Sequence, residues 1–117
     1  MTTIILNHQP YDGTDVTWNA LRLAKTLFKS GEKVNMFLMN DAVDLARNKT
    51  TKPDSYDYDL VEMLKKMYSN GISLQVCGTC KARCGIFKNE PYFDEEISST
   101  MQVLGDWVIE SDKVISF

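Results

Sequence analysis

Short, mostly apolar runs alternate along the chain with segments whose apolar residues recur every three or four positions. Residues 2–7, 33–39 and 72–76 are runs of β-branched, leucine, methionine and phenylalanine side chains bounded by polar or turn-forming residues. Runs of this kind predict strands buried on both faces of a parallel sheet. Residues 97–100 and 114–117 are shorter candidates. The pattern therefore predicts four or five strands.

The segment after the first strand carries the clearest helical period. Its apolar residues lie at helical spacing and are Val16, Ala20, Leu23, Ala24 and Leu27. Asp12 or Thr14 is expected to cap this helix, and Gly31 lies where a left-handed C-terminal cap would be. Three more helices are expected: a short one through about Arg47 that Asn40 or Asp41 would cap, then residues 58–70 and 101–112.

Between the second and third helices lies a polar segment, residues 48–58, which contains Pro53 and has no hydrophobic period. It predicts a long loop, mobile or covered by a partner. The remaining order is strand, helix, strand, helix, so crossover connections and a mostly parallel sheet with helices on both faces are expected. Residues 1–117 are therefore predicted to form one α/β sandwich domain.

Composition and charge exclude several classes of protein. The 117 residues include 13 lysines and arginines against 16 aspartates and glutamates, a net charge of −3, and 44% are hydrophobic. These values are typical of a globular chain. Without a basic run, neither nucleic acid nor a membrane is an expected partner. The N-terminal apolar run has no positive flank, so we expect no signal peptide and a cytoplasmic protein with reduced thiols.

The three cysteines all fall within one octapeptide, residues 77–84. In a parallel sheet the strands end at one edge, and ligands bind just beyond that edge. This edge collects His8 after the first strand, Asn40-Asp41 after the second and Cys77 after the third. The topology therefore predicts that the only histidine and the cysteines lie on one side of the molecule.

Cys77 is the strongest candidate for a chemical role. The residues after it are expected to turn the chain into a helix over residues 79–84 and to supply positive charge; they are Gly78, Thr79, Lys81, Arg83 and the terminating Gly85. A thiol at a helix N-terminus beside cations sits in a field that favours the thiolate. Thiolates attack sulfur or carbon electrophiles and carry bound sulfur. The alternative is a small buried hydrophobe.

Several interpretations remain open for the other candidate residues. Cys80 could form a reversible Cys-x-x-Cys dithiol with Cys77, or Cys77, Cys80 and Cys84 could bind zinc or an iron–sulfur cluster with His8 as a fourth ligand. In a third interpretation Cys80 and Cys84 only pack. His8 is either a proton-transfer residue beside the thiol or structural. Trp18 lies in the core or on an oligomer face. No glycine-rich phosphate motif is present, and no cofactor is assigned.

The chain resembles the DsrE/DsrF-like family of small sulfur-relay proteins over nearly its whole length. The matching segments are Lys29-Ser30-Gly31-Glu32-Lys33-Val34, residues 34–39 with Asn40-Asp41, Asn70-Gly71-Ile72, Val76-Cys77-Gly78-Thr79-Cys80 and Ser111-Asp112-Lys113-Val114-Ile115-Ser116-Phe117. Among them, the Cys-Gly-Thr-Cys segment after a buried strand is the most specific.

The resemblance implies a three-layer α/β/α sandwich with a mostly parallel five-stranded sheet, in a homo-oligomer that is commonly a trimer or hexamer. It further implies that Cys77 accepts a persulfide sulfur from a donor protein and passes it to an acceptor. Cys80 would resolve or shield the persulfide, and Lys81 and Arg83 would stabilise the anion. One position departs from the family: Cys84 stands where members tend to have a basic residue before the closing glycine.

The sequence thus predicts a cytoplasmic sulfur-transfer protein, a persulfide carrier of the sulfurtransferase kind. The alternative is a non-catalytic assembly module in which Cys77, Cys80 and Cys84 bind a metal or sense redox state.

Overall fold

The structure is a computed structural model that describes all of residues 1–117. Its strands are β1 (Thr2–Leu6), β2 (Val34–Leu38), β3 (Ser73–Cys77), β4 (Ser98–Ser99) and β5 (Lys113–Ser116). Its α-helices are α1 (Val16–Lys29), α2 (Leu60–Ser69), α3 (Cys80–Arg83) and α4 (Met101–Glu110). Two 3₁₀ helices span Asn40–Ala46 and Glu95–Ile97. Every predicted strand and helix is present, with boundaries shifted by a few residues.

All five strands run parallel in one sheet with the order β4-β3-β2-β1-β5. β1 pairs with β2, where Thr2 lies opposite Val34, and with β5, where Thr2 lies opposite Lys113. β3 pairs with β2 and with the two-residue β4. The predicted parallel sheet is confirmed, and it has five strands.

Helices cover both faces of this sheet. The chain steps in one direction from β1 to β2 to β3, so right-handed crossovers place α1 and α2 together on one face. It then returns across the sheet from β4 to β5 through α4, which the same handedness places on the opposite face. There Trp107 packs edge-on against Phe37 of β2, with ring centroids 6.1 Å apart. The predicted sandwich is confirmed.

The core lies around β2 and under α1 and α2. All five residues of β2 are buried, whereas β5 buries none. α4 buries only Leu104 and leaves Ile109 83% exposed. The layer formed by α4 and the edge strand β5 is therefore thin and apolar on its outside. The longest helix, α1, has 14 residues, and no helix has the length and hydropathy needed to cross a bilayer.

The predicted stop of the first helix is confirmed. Gly31 has a φ of +91°, which the residue after a helix adopts when the chain leaves it in a left-handed turn. The next residue, Glu32, donates its N–H back to the Leu27 carbonyl at 3.1 Å. α2 ends in the same manner at Gly71. Both helices therefore lead directly into the following strand.

The predicted cap of the first helix is wrong for Asp12, whereas Thr14 does bind the helix: its hydroxyl oxygen accepts from the Val16 N–H at 3.4 Å. α1 begins after Asp15, whose side chain makes no capping bond. Asp12 instead accepts hydrogen bonds from the N–H and the hydroxyl of Thr14. A short polar side chain at a turn can bind its own loop rather than the helix, and this local turn keeps Asp12 away from the first helical N–H groups.

The predicted cap of the helix that follows β2 is also wrong. The 3₁₀ helix Asn40–Ala46 has no side-chain cap. Asn40 donates to the side chain of Asn7 at 3.0 Å, and Asp41 accepts from the Gly85 N–H at 2.9 Å. Both residues therefore connect neighbouring loops at the edge where the strands end.

Residues 48–58 form the predicted long loop, and this loop packs on the beginning of α1. The Tyr56 hydroxyl accepts a hydrogen bond from the Gly13 N–H. Tyr58 stacks on Trp18, with ring centroids 4.9 Å apart. The aromatic side chains of the loop, rather than an apolar period, thus account for its attachment to the domain.

Candidate functional site

Cys77 is the last residue of β3, at the edge where the parallel strands end, and it is 9% exposed. The next residue, Gly78, donates its N–H to the Ser99 carbonyl of β4 at 2.9 Å. A Cβ at Gly78 would lie 3.0 Å from that carbonyl oxygen, so a glycine allows the chain to leave the sheet close against β4. The predicted position of Cys77 at the end of a strand is confirmed.

The helix that follows Cys77 is shorter than predicted, a single turn over Cys80–Arg83. Thr79 precedes it, and its side chain makes no capping bond. Instead, Cys77 Sγ accepts a hydrogen bond from the Cys80 N–H at 3.4 Å. The sulfur occupies the place of a capping oxygen. Cys77 Sγ therefore accepts a hydrogen bond from one N–H, and the helix that follows is too short to supply a large dipole.

Cys80 is 9% exposed, and its backbone bonds both neighbours: its N–H donates to Cys77 Sγ, and its carbonyl accepts from the Cys84 N–H. Burial, together with hydrogen bonds to Cys77 and Cys84, raises the pKa of the Cys80 thiol to about 12, while the backbone of Asn40 acts in the opposite direction. At neutral pH Cys80 is therefore an uncharged thiol, which can donate an S–H hydrogen bond to a neighbouring sulfur.

Cys84 follows α3 in an extended conformation and is the most exposed of the three cysteines, all of which are free thiols. Its N–H donates to the Cys80 carbonyl at 2.9 Å. Gly85 then ends the segment with a φ of +83°. We refer to residues 77–85 as the cysteine loop. The structure brings the three predicted cysteines together in this loop, although only Cys80 lies on the helix.

A buried arginine holds the cysteine loop from the interior. The side chain of Arg47 has no exposed surface. Its Nη2 donates to the carbonyls of Lys81 and Cys84, each at 2.9 Å, and to that of Cys80 at 3.5 Å. Its Nη1 donates to the Glu90 carbonyl at 2.7 Å. One guanidinium thus fixes the carbonyls at the end of α3, where helices leave such groups without intrahelical partners.

Asp44 balances the charge of Arg47. Both side chains are fully buried, and Arg47 Nε donates to Asp44 Oδ1 at 2.7 Å. The other carboxylate oxygen accepts from Gln9 Nε2 at 2.8 Å and from the Ile86 N–H at 2.7 Å. Both oxygens are satisfied, as a buried carboxylate requires. A Cβ at Gly85 would overlap this carboxylate, so a glycine is required there by space as well as by φ.

Tyr92 links the arginine to Cys77. The Arg47 guanidinium carbon lies 5.4 Å from the centroid of the Tyr92 ring, and the Tyr92 hydroxyl donates to the Cys77 carbonyl at 2.7 Å. Burial raises the pKa of the Tyr92 phenol, so the hydroxyl remains a hydrogen-bond donor at neutral pH. Buried polar side chains thereby fix both the beginning and the end of the cysteine loop.

Three of these supporting residues, Asp44, Arg47 and Tyr92, were not predicted. The pair Asp44 and Arg47 did carry a signal, because two opposite charges three positions apart interrupt an apolar run that begins at Ala42. Charged residues within a buried segment are almost always paired. Tyr92 lies in a polar segment between helices, and no sequence pattern marks its contact with Cys77.

The structure does not link His8 to a thiol. His8 is exposed in the loop after β1. Burial acts to raise the pKa of nearby Asp12, but hydrogen bonds from Thr14 and the charge of His8 lower it. Lys81 and Arg83 are exposed on the outside of α3, and the cation that contacts the loop is Arg47. Proton transfer by His8 and anion stabilisation by the two surface cations stay predictions.

Neither of the two main cavities is lined by a cysteine. One, of about 560 Å³, lies between the loop before α1 and residues 55–58. The other, of about 350 Å³, lies between α1 and α2. The thiols are instead carried by a surface loop. This placement suits exchange with the thiol of another molecule better than capture of an enclosed small ligand.

The three thiols do not form a metal site. No group of three or more His, Cys, Asp and Glu side chains in residues 1–117 is arranged to hold a metal ion. A structural zinc site needs four such ligands at about 2.0–2.3 Å. The metal-binding alternative therefore has no geometric support, whereas the redox-sensing alternative retains the contacts of Cys80 with Cys77 and Cys84.

Comparison with known protein families assigns the whole chain to one family. The family model described as the DsrE/DsrF-like family matches residues 1–117. The chain belongs to the DsrE/DsrF-like family. Its membership confirms the resemblance seen in the sequence and supports a sulfur-relay type of role in general.

Similar proteins of this family come from archaea and bacteria. A protein of Methanopyrus kandleri is 34% identical over 115 residues, which cover 98% of this chain and 92% of the relative. Protein YchN of Escherichia coli is 33% identical over 116 residues, 97% of this chain and 96% of YchN. The crystal structure of YchN superposes with a TM-score of 0.82 at 30% identity, covering 99% of this chain and 97% of YchN.

Proposed function

We propose that this DsrE/DsrF-like protein is a sulfur carrier that holds sulfane sulfur as a persulfide on Cys77. The Cys77 thiolate attacks the terminal sulfur of a donor persulfide, the donor thiolate leaves, and Cys77–S–SH forms. Attack by an acceptor thiolate on that terminal sulfur regenerates the Cys77 thiolate. One S–S bond forms as another breaks, so the transfer needs no oxidant, reductant or cofactor.

The observation that carries this proposal is the hydrogen bond from the Cys80 N–H to Cys77 Sγ at 3.4 Å. A donor directed at a sulfur stabilises the negative charge that this sulfur carries as it attacks or leaves in thiol exchange. The family membership supports the same reaction type. The buried contacts of Arg47 and Tyr92 hold this geometry in place.

Cys80 is better suited to shield the persulfide than to resolve it. Resolution would require the Cys80 thiolate to attack Cys77–S–SH, but with a pKa of about 12 Cys80 stays protonated at neutral pH. A neutral thiol can instead donate its S–H to the neighbouring sulfur. The persulfide is therefore expected to persist until an acceptor arrives.

The experiment is intact mass after exposure of the reduced protein to glutathione persulfide. The wild-type protein is expected to gain the mass of one sulfur atom on Cys77, and Cys77→Ser is expected to lose that stable product. Cys80→Ser is the matched control, with the same substitution in the same loop, and should still load Cys77. Equal loading of Cys77 →Ser and wild type at equilibrium would contradict the assignment of Cys77.

The redox-sensing alternative is favoured by the contacts among the thiols and makes a different prediction. Mild oxidation would remove two thiols and form a disulfide between Cys80 and Cys77 or Cys84, with a loss of two hydrogens. A thiol count before and after oxidation, repeated after addition of a dithiol reductant, tests it. A reversible disulfide that forms more readily than the persulfide would favour the sensor.

We further propose that the protein acts as a homo-oligomer, a trimer or hexamer, together with donor and acceptor proteins. The thin layer of α4 and β5 supports this, because Ile109 and Val114 are 83% and 42% exposed and apolar surfaces of this kind mark interfaces. The three free cysteines support a reducing compartment, the cytoplasm. Sedimentation of the purified protein measures the oligomeric state directly.

A further inference from the structure

The three thiols differ in how far another molecule can reach them. Cys77 and Cys80 are each 9% exposed, whereas Cys84 is partly exposed. Thiol exchange requires the attacking sulfur, the sulfur under attack and the leaving sulfur to come into line. A donor with any bulk around its persulfide therefore meets Cys84 more readily than Cys77.

The surroundings of Cys84 are those of a contact surface. Arg83 precedes it and Lys81 lies one turn away, both exposed on the outside of α3. Ile86 follows Gly85 with 73% of its surface exposed. Two cations and an apolar side chain thus surround the accessible thiol, an arrangement that suits a donor bearing negative charge and some apolar surface.

The interior of the loop places Cys84 next to the carrier site. The Cys80 N–H donates to Cys77 Sγ at 3.4 Å, and the Cys80 carbonyl accepts from the Cys84 N–H at 2.9 Å. The Arg47 guanidinium binds the carbonyls of Cys80 and Cys84 together, at 3.5 Å and 2.9 Å. A persulfide on Cys84 extends that side chain by one S–S bond, about 2 Å. This extra bond lengthens the reach of the Cys84 side chain by the same distance.

We propose that Cys84 is the first acceptor thiol of the loop, from which sulfane sulfur passes to Cys77. The inference rests on the proposed function. First, Cys84–S⁻ attacks the terminal sulfur of the donor persulfide, giving Cys84–S–SH and the donor thiolate. Cys77–S⁻ then attacks the terminal sulfur of Cys84–S–SH, giving Cys77–S–SH and Cys84–S⁻. Each step breaks one S–S bond and forms one, with no net oxidation.

Cys80 fits this sequence as a positioning residue that stays out of the exchange. Because its thiol remains protonated at neutral pH, it does not compete as a nucleophile for either persulfide. Its S–H can instead hydrogen-bond the sulfur that carries negative charge at each stage. The two reactive cysteines are thus separated by a thiol that cannot trap the sulfur as a disulfide.

The sequence allows the two positions to be distinguished directly. Trypsin cleaves after lysine and arginine, so cleavage after Lys66, Lys81, Arg83 and Lys88 releases residues 67–81 with Cys77 and Cys80, and residues 84–88 with Cys84. The reduced protein is exposed to glutathione persulfide, stopped at successive times with an alkylating agent, digested and analysed by mass spectrometry. In the wild type the added sulfur is expected first on residues 84–88 and later on residues 67–81.

Variants at two positions decide the order. In Cys77→Ser the sulfur should appear only on residues 84–88 and, at equilibrium, at a lower occupancy than in the wild type, because the thiol that holds it is missing. In Cys84→Ser and Cys84→Ala the peptide 67–81 should load at least about tenfold more slowly, because only the buried thiol remains. Small inorganic polysulfide should load Cys77 in these variants at nearly the wild-type rate, which shows that the loop is intact. Cys80→Ser, the matched control, should still load residues 84–88 first.

The outcomes separate this inference from the function on which it rests. If glutathione persulfide loads Cys77 as fast in Cys84→Ser and Cys84→Ala as in the wild type, Cys84 is not the first acceptor, and Cys77 remains the carrier. If neither peptide of the wild type gains sulfur from either donor, the carrier function itself is overturned.

Discussion

The β3 side of the sheet and its β5 edge are built on opposite principles. Next to β3, charge is buried: the side chains of Asp44 and Arg47 have no exposed surface, and Arg47 binds three carbonyls of the cysteine loop. Next to β5, apolar surface is exposed, with Ile109 83% and Val114 42% accessible. A buried ion pair adds little net stability but penalises every other arrangement. The β3 side is therefore constructed to hold one geometry, whereas the β5 edge carries the apolar surface of the proposed oligomer.

The largest effect is expected from breaking the buried pair. Arg47→Met leaves the Asp44 carboxylate buried without its partner, which should lower the free energy of unfolding by about 3–5 kcal/mol. The control is Lys49→Met, which removes an ion pair with Glu90 at 3.3 Å on the surface and should cost at most about 1 kcal/mol. Urea unfolding measures both, and equal losses would contradict the role assigned to Arg47.

A smaller effect is expected at the glycine that adjoins the pair. Gly85 and Gly13 have nearly equal φ values, +83° and +87°, but only at Gly85 would a Cβ overlap the Asp44 carboxylate. Gly85→Ala and Gly13→Ala both incur about 1–2 kcal/mol for the left-handed conformation. Gly85→Ala should lose about 1–3 kcal/mol more because the carboxylate must move. Thermal unfolding of the two variants gives the difference; identical melting would disprove close packing there.

The third prediction concerns the pH dependence of the free energy of unfolding, to which Cys80 contributes. Its pKa is raised from 9.0 to about 12 in the folded state, so the unfolded chain releases this proton at lower pH. The stability contributed by Cys80 is complete below pH 9 and is lost as pH rises through 12. Cys80→Ser should therefore show a shallower fall of unfolding free energy above pH 9. Part of the fall should persist, because burial also raises the pKa of Tyr92.

The smallest effect on the stability of one subunit is expected at the β5 edge. Ile109→Glu changes a side chain that is 83% exposed and should alter the unfolding free energy of the monomer by no more than about 0.5 kcal/mol. It should nevertheless dissociate the proposed oligomer. Gln102→Glu adds the same charge at an exposed polar position of α4 and should leave assembly unchanged. If both variants sediment like the wild type, this surface is not the interface.

The fold could be predicted because its signals are local. Apolar runs such as residues 33–39 can be buried on both faces only in a parallel sheet, and Gly31 marks the end of α1 in the sequence itself. The capping predictions failed at Asp12, Asn40 and Asp41 because these residues had partners in their own or neighbouring loops. A capping propensity describes which groups a side chain can bind, but the folded chain decides which of those groups lies within hydrogen-bond distance.

The site could be predicted only in part. The position of Cys77 follows from topology, because the end of a buried strand is fixed by the sheet. What surrounds it depends on contacts between distant segments: Arg47 reaches Cys84 across 37 positions, and Tyr92 reaches Cys77 across 15. The helix that was expected to activate Cys77 is a single turn, and the groups that hold the loop come from elsewhere in the chain.

The central claim is that Cys77 carries sulfur rather than changing oxidation state, and the release step tests it most directly. Protein loaded with one sulfur atom is separated from the donor and mixed with an excess of a monothiol acceptor. We predict that the protein returns to the mass of its reduced form while the acceptor becomes a persulfide, because one S–S bond replaces another. Release of hydrogen sulfide with the protein left two hydrogens lighter, as a disulfide, would contradict the account.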